Sequence, residues 1–326
     1  MAKLTPADIT VAVTVFDRRD YLRGAVRSAL DQTLRAGHRV MIVEDCGPDA
    51  QLRSSIEAEF GERIAYHRNA RNRGLFDNWN ACIEHCETPW LCILHDDDLL
   101  EPTFLESMIE LAAAAPGRAL YYGACHGIDE AGRRIAEAPT PTEFRWSELD
   151  LESWAHYDPV CFPGQLFHRQ TALELGGFRA TSRYCGDWEL WFRLALHSGA
   201  AATNRVLASY REHHDEGRGT TKADVSGRKY AYVNMQRKRH VAWLRKSGVR
   251  IRFDRKARQT ETPMPSRYLL AHAHGFSRRM LRYNAGLFFH SRAPHLSYFL
   301  LQLMIRCWTW RSLRAASRAA RWLQRR

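Results

Sequence analysis

Short apolar runs alternating with helical stripes constrain this chain more than any other feature. Ile9–Val15 is a continuous β-branched run, and Tyr21, Leu22, Ala25, Val26, Ala29 and Leu30 then follow helical spacing. Arg39–Val43 reads as a second buried strand, ending at Glu44-Asp45-Cys46-Gly47-Pro48, where Gly and Pro mark a turn and Asp49 is placed to cap the next helix. A brief strand at Ile64–His67, a helical stripe through Leu75, Trp79, Cys82, Ile83 and Cys86, and a strand at Trp90–Leu94 continue the series. Such alternation predicts an α/β fold with a mostly parallel sheet and helices on both faces.

In an open α/β sheet, ligands bind outside the carboxyl ends of the strands. Asp45 follows one predicted strand end, and the run Asp96-Asp97-Asp98 follows another, about fifty residues later. Adjacent carboxylates raise one another's pKa unless a positive partner neutralises them, and a divalent cation, Mg²⁺ or Mn²⁺, suits hard oxygen ligands. The bland alternative makes the run a solvated loop capping a helix over Leu99–Leu111. Asp45 before Gly-Pro is equally a good turn residue. Arg71, Arg73, Asn78 and Asn80 offer donors suited to a diphosphate, or a surface helix start.

Beyond a predicted strand at Ala119–Tyr122 the pattern weakens up to Trp154, and a compact block follows at Phe162–Leu196. A Trp-rich helix begins at Gly186-Asp187, with Trp188, Trp191, Leu194 and Ala195 on one face. Asp187 is either a helix N-terminal charge favoured by the macrodipole or a general base desolvated beside aromatic rings. His213, in Tyr210-Arg211-Glu212-His213, is a surface histidine or a ligand to metal or phosphate.

Charge divides the chain. Residues 217–326 hold 26 of the 48 Lys and Arg residues and 3 of the 36 Asp and Glu residues, leaving 22 basic and 33 acidic residues in 1–216. A boundary is therefore expected near residue 217, with a basic, mainly helical C-terminal region whose interleaved tryptophans suit an anionic membrane surface or a solvated face. The eight cysteines form no C-x-x-C pair and no apolar leader opens the chain, which leads us to expect a cytoplasmic protein with reduced thiols. The longest apolar candidate, Leu296–Ile305, is too short to span a bilayer, so membrane association would be peripheral.

Taken in order, these segments resemble a family 2 glycosyltransferase of the GT-A type over roughly residues 9–214. The carriers are ITVAVTVFDRRDYLRGAVRSALDQT, IVEDCGPD, RNRGLFDNWNACIEHC with PWLCILHDDDLLEP, LELGGFR with GDWELWFRLA, and YREH. The resemblance implies a mixed GT-A sheet with a nucleotide-sugar half (1–122), an acceptor half (123–216) and the basic region (217–326). It also implies an inverting transfer from a nucleoside-diphosphate sugar, usually uridine-linked, to a glycan or lipid-linked acceptor of bacterial surface polysaccharide. Carried over by residue, Asp45 contacts the base, Asp96 the ribose or metal, and Asp97 and Asp98 the metal and diphosphate. His213 approaches the metal, Asp187 is the catalytic base, and Trp188 and Glu189 lie at the acceptor. Val15-Phe16-Asp17, Arg73 and Asn80 join the nucleotide-sugar site. Two departures stand out: Val15-Phe16-Asp17 replaces the family's usual Pro-Thr-Tyr-Asn, and Asp187 lacks the common acidic neighbour and so must serve alone. A sugar nucleotidyltransferase would need a Gly-rich loop with a basic residue after the first strand, which is missing. A basic nucleic-acid-binding scaffold would carry a recognition motif, and none accompanies the charge, so no specific nucleic acid is expected.

Overall fold

The computed structural model describes residues 3–34, 37–135, 146–148, 151–155, 158–213 and 228–248. The chain forms two compact units, residues 1–215 with 232–257, and residues 216–231 with 258–326. The boundary expected near residue 217 is thus not a single cut, because 232–257 return to the first unit. The proposed membrane-facing tail, including Leu296–Ile305, lies outside the described residues. Among the described residues no helix is long and apolar enough to cross a membrane.

Strand β1 (Ile9–Val15) is buried along its whole length. It sits between β2 (Arg39–Glu44) and β4 (Trp90–His95), parallel to both, and β3 (Ala65–Arg68) extends the sheet beyond β2. A strand covered on both faces has no use for alternation, which is why it reads as an unbroken apolar run. Its successive side chains point to opposite faces. Val11, Val13, Val40, Ile42, Cys92 and Leu94 join one core, with helices α1 (Arg19–Leu30), α2 (Leu52–Phe60) and α4 (Phe104–Ala114). Ala12, Met41, Val43, Leu91 and Ile93 face the other, under α3 (Leu75–His85) and later helices. Asp49 does not cap α2: Gln51 is the N-cap, and Asp49 Oδ1 accepts the Gln51 N–H at 3.0 Å.

The second half is mixed. Among the described residues the sheet has nine strands, in the order β3-β2-β1-β4-β8-β6-β9-β5, with β7 (Trp146–Glu148) on β9. Strand β8 (Gln165–His168) runs antiparallel to β4 and to β6 (Leu120–Ile128), and β9 (Ala200–Arg211) is parallel to β6. The expected helix over Leu99–Leu111 begins later, because Leu99–Leu100 form β5 and pair antiparallel with Ser209 and Ala208. Pro102 also disfavours helix at the residue before it.

Between α5 (Leu151–Trp154), α6 (Arg169–Glu174) and the sheet lies α7 (Gly186–Ser198), buried at every position from Trp188 to Ala195. On it docks the described part of α8 (Arg228–Lys246), where His240 stacks on Phe192 at 3.9 Å and Leu244 is fully buried.

Candidate functional site

Strand register assembles the first part of the site. Val15 lies opposite Glu44, and Thr14 opposite His95, so the segments after β1, β2 and β4 leave the sheet side by side at one edge. Gly47 permits the closest of these approaches: a Cβ there would lie 1.9 Å from the Phe16 carbonyl oxygen. Glu44, wholly buried, accepts the Gly47 N–H at 3.0 Å and the Tyr66 hydroxyl at 2.8 Å, and pairs with Arg68, which also donates to the Gly47 carbonyl at 2.9 Å. Both sides of the Gly47 residue are therefore held. A cavity of about 240 Å³ opens between these loops, lined by Phe16, Asp17, Arg19, Pro48 and Asp49.

Asp45 faces inward. Its carboxylate accepts from Asn69 Nδ2 at 2.9 Å and from the backbone N–H groups of Arg73 (2.7 Å) and Gly74 (2.9 Å), which open α3. The Arg73 guanidinium pairs with Glu84. Asn80, expected at the nucleotide sugar, instead exchanges two hydrogen bonds with the backbone of Phe178, at 2.9 and 2.8 Å.

A second approach to the Asp run comes from β9, more than a hundred residues further along the chain. Strand β9 lies between β6 and β5, and its Ala208 and Ser209 pair with β5, which directly follows Asp98. Arg211 thereby donates its N–H to Asp98 Oδ1 and its Nε–H to the Asp97 carbonyl, both at 2.8 Å, and lies 4.4 Å above the Tyr21 ring. His213 Nε2 lies 2.8 Å from Asp97 Oδ2, which also pairs with Arg18, and burial pushes the His213 imidazole below its usual pKa. Arg18 was not among the residues expected here.

Ligand atoms of His95, Asp97 and Asp98 lie within 4.8 Å of one another. Asp98 is 1% exposed, yet its Oδ2 has no hydrogen-bond partner, and the same is true of His95 Nε2. An unpaired buried carboxylate oxygen is costly, so this donor set fits a divalent cation. Asp96, partly exposed beside them, has its carboxyl raised to about 7, by burial first.

Asp187 reaches the same edge from α7. A Cβ on Gly186 would fall 1.9 Å from Phe76 of α3, so glycine lets the start of α7 press against α3. Burial raises the Asp187 carboxyl, opposed by the Trp188 N–H at 2.8 Å and by His95, which is close enough to act on it electrostatically. Asp187 is not alone. Asp158 has its own carboxyl raised well above the usual range, by burial and then by the charge of Asp187. The sequence carried no local signal for Asp158, 29 residues away in a loop without periodicity.

Two expected acceptor residues turn the other way. Trp188 is 3% exposed and donates Nε1–H to the Trp154 carbonyl at 2.9 Å. Glu189, 2% exposed, is bound by Arg193 at 3.0 Å and Arg179 at 3.4 Å.

A mixed sheet with donors of charge and carboxylates gathered at the carboxyl edge of its parallel strands is the GT-A fold. Residues 10–175, half of the chain, match the family model for glycosyl transferase family 2, and the chain belongs to that family. It is 22% identical over 216 residues to an uncharacterized glycosyltransferase of Rickettsia felis, a match covering 64% of this chain and 35% of that relative's length. Its fold is shared with S. aureus TarS 1–349 in complex with UDP-GlcNAc, at a TM-score of 0.53 and 12% identity, covering 81% of each chain. The mannosyltransferase PcManGT from Pyrobaculum calidifontis, in complex with GDP-Man and Mn²⁺, is similar at a TM-score of 0.55 and 16% identity, covering 93% of this chain and 86% of that one.

Proposed function

We propose that this protein is an inverting glycosyltransferase that moves a sugar from a nucleoside-diphosphate sugar, of the uridine-linked class, to a hydroxyl of a glycan or lipid-linked acceptor in bacterial surface polysaccharide synthesis. The observation that carries this reading is the gathering of His95, Asp97 and Asp98 where β4 leaves the sheet, with ligand atoms within 4.8 Å of one another and the buried Asp98 Oδ2 lacking a hydrogen-bond partner. Family membership and the nucleotide sugars bound by the two structural neighbours support the donor class.

In this reading the base and ribose take the cavity beside Phe16 and Asp17, behind Val15, with Asp45 holding the Arg73–Gly74 turn against the nucleotide. Asp97 and Asp98, with Asp96 and His213 beside them, would hold Mn²⁺ or Mg²⁺. When bound, that cation neutralises the negative charge developing on the leaving nucleoside diphosphate. Arg18 adds a guanidinium at the same place. Asp187 accepts the proton of the acceptor hydroxyl as its oxygen bonds to the anomeric carbon, and the bond from that carbon to the diphosphate oxygen breaks on the opposite face. One displacement inverts the anomeric configuration. The basic C-terminal region would hold the enzyme at anionic lipid on the inner membrane face.

Incubating the purified protein with a panel of nucleotide sugars, with and without Mn²⁺, tests this reading through release of nucleoside diphosphate. Consumption of one donor with metal, removed by Asp97→Ala, is expected. Failure of every nucleotide sugar to be consumed or to stabilise the fold would overturn it.

A further inference from the structure

Two imidazoles border the acidic cluster, and they are not equivalent. His213 Nε2 is already shared between Asp97 Oδ2, at 2.8 Å, and the Arg18 guanidinium, at 3.0 Å, so a fixed positive charge stands at its ring nitrogen. Among the described residues, no cationic side chain bonds the His95 ring. Its Nδ1 lies 3.4 Å from Asp98 Oδ2, the buried oxygen that lacks a hydrogen-bond partner.

The His95 ring is also fixed in orientation. It stacks on Phe162 at 4.1 Å and 13°, and on Trp79 at 5.5 Å and 20°. It ends β4, whose register against β1 is set by six consecutive residue pairs. A ligand clamped on a central strand loses little conformational entropy when it binds an ion. With the carboxylates of Asp97 and Asp98, it offers one nitrogen and two oxygens within 4.8 Å.

We propose that His95 is a nitrogen ligand of the cation, and that it makes this site one for a first-row transition ion over Mg²⁺. This rests on the glycosyltransferase reading above and deepens it. All-oxygen sets suit Mg²⁺, whereas an imidazole nitrogen adds affinity in the order Mn²⁺ below Co²⁺, and little for Mg²⁺.

Pulsed electron paramagnetic resonance of Mn²⁺ bound to the whole protein, alone and with UDP or GDP, reads the ligand directly. Modulation from ¹⁴N is expected, changing to the ¹⁵N pattern when histidine is ¹⁵N-labelled, persisting in His213→Asn and vanishing in His95→Asp. The labelling arm, run in the His213→Asn protein, needs no change at His95 and stays decisive should His95→Asp not fold. Competition between Co²⁺ and Mg²⁺ should favour Co²⁺ less in His95→Asp, by on the order of tenfold. Bound Mn²⁺ without nitrogen modulation, or modulation lost in His213→Asn, would overturn the role of His95 and leave the transferase reading standing. No Mn²⁺ binding with either nucleotide would overturn both this inference and the metal-assisted part of that reading.

Discussion

Asp45, after β2, and Asp187, at the start of α7, are carboxylates in two halves of the molecule that treat them in opposite ways. Asp45 accepts from three donors of its own protein, two of them backbone N–H groups at the start of α3. Its lone pairs are committed to shaping a loop. Asp187 accepts from the N–H of Trp188, sits beside Asp158, and has its carboxyl raised by burial. A saturated carboxylate organises structure, whereas a desolvated one holds a proton more readily.

Replacing the desolvated group should cost most. Asp187→Asn is expected to lower transfer by about 10²–10⁴-fold, the span typical of a lost general base, while nucleotide still raises the melting temperature as in the native protein. Equal loss of nucleotide stabilisation would erase the contrast between the halves. Next in size is Glu189→Ala, which strands the buried Arg193 guanidinium without its carboxylate and should destabilise the fold by about 3–5 kcal/mol in denaturant unfolding. A near-neutral result would mean that Glu189 is available to the acceptor after all.

Asp45→Ala leaves buried donors without an acceptor, and should cost about 1–3 kcal/mol of stability together with weaker nucleotide binding, measured by titration calorimetry. Unchanged nucleotide affinity would detach Asp45 from the donor site. The smallest effect concerns pH. Because Asp187 is raised, the acid limb of kcat/KM should lie above the usual carboxylate range, and Asp158→Asn should move it to lower pH by removing a like charge. The sign for stability follows. The folded state favours protonated Asp187, so this contribution is present in full below the unfolded carboxyl's pKa and is lost as pH rises through the folded value. Asp187→Asn should remove that loss from the stability profile.

Much of the parallel part of the sheet, β1 to β4, was legible. Ile9–Val15 is β1 residue for residue, the predicted strands at Arg39 and Trp90 stop one residue short of β2 and β4, and the one at Ile64–His67 is shifted by one residue from β3. In the mixed part of the sheet, β9 went unread: its twelve residues include Asn204 and Arg205 at the register shifts, which interrupt any period of two. Helix α7 was found from Gly186 onward, but its inward side was misjudged. Every position from Trp188 to Ala195 is buried, Glu189 and Arg193 through their mutual ion pair, so polarity did not mark the exposed face.

Local chemistry in the sequence determined the alternating strands and helices and the carboxylates at the strand ends, because periodicity and turn residues act over about ten positions. Tertiary structure decided which distant side chains meet. The strand register set His95 beside the Asp run, the β9–β5 pairing returned Arg211 and His213 to it across more than a hundred residues, and close packing at Gly186 brought Asp187 to the same edge. Those meetings depend on register, a local irregularity and the absence of one side chain, none of which has a signature in the neighbouring sequence.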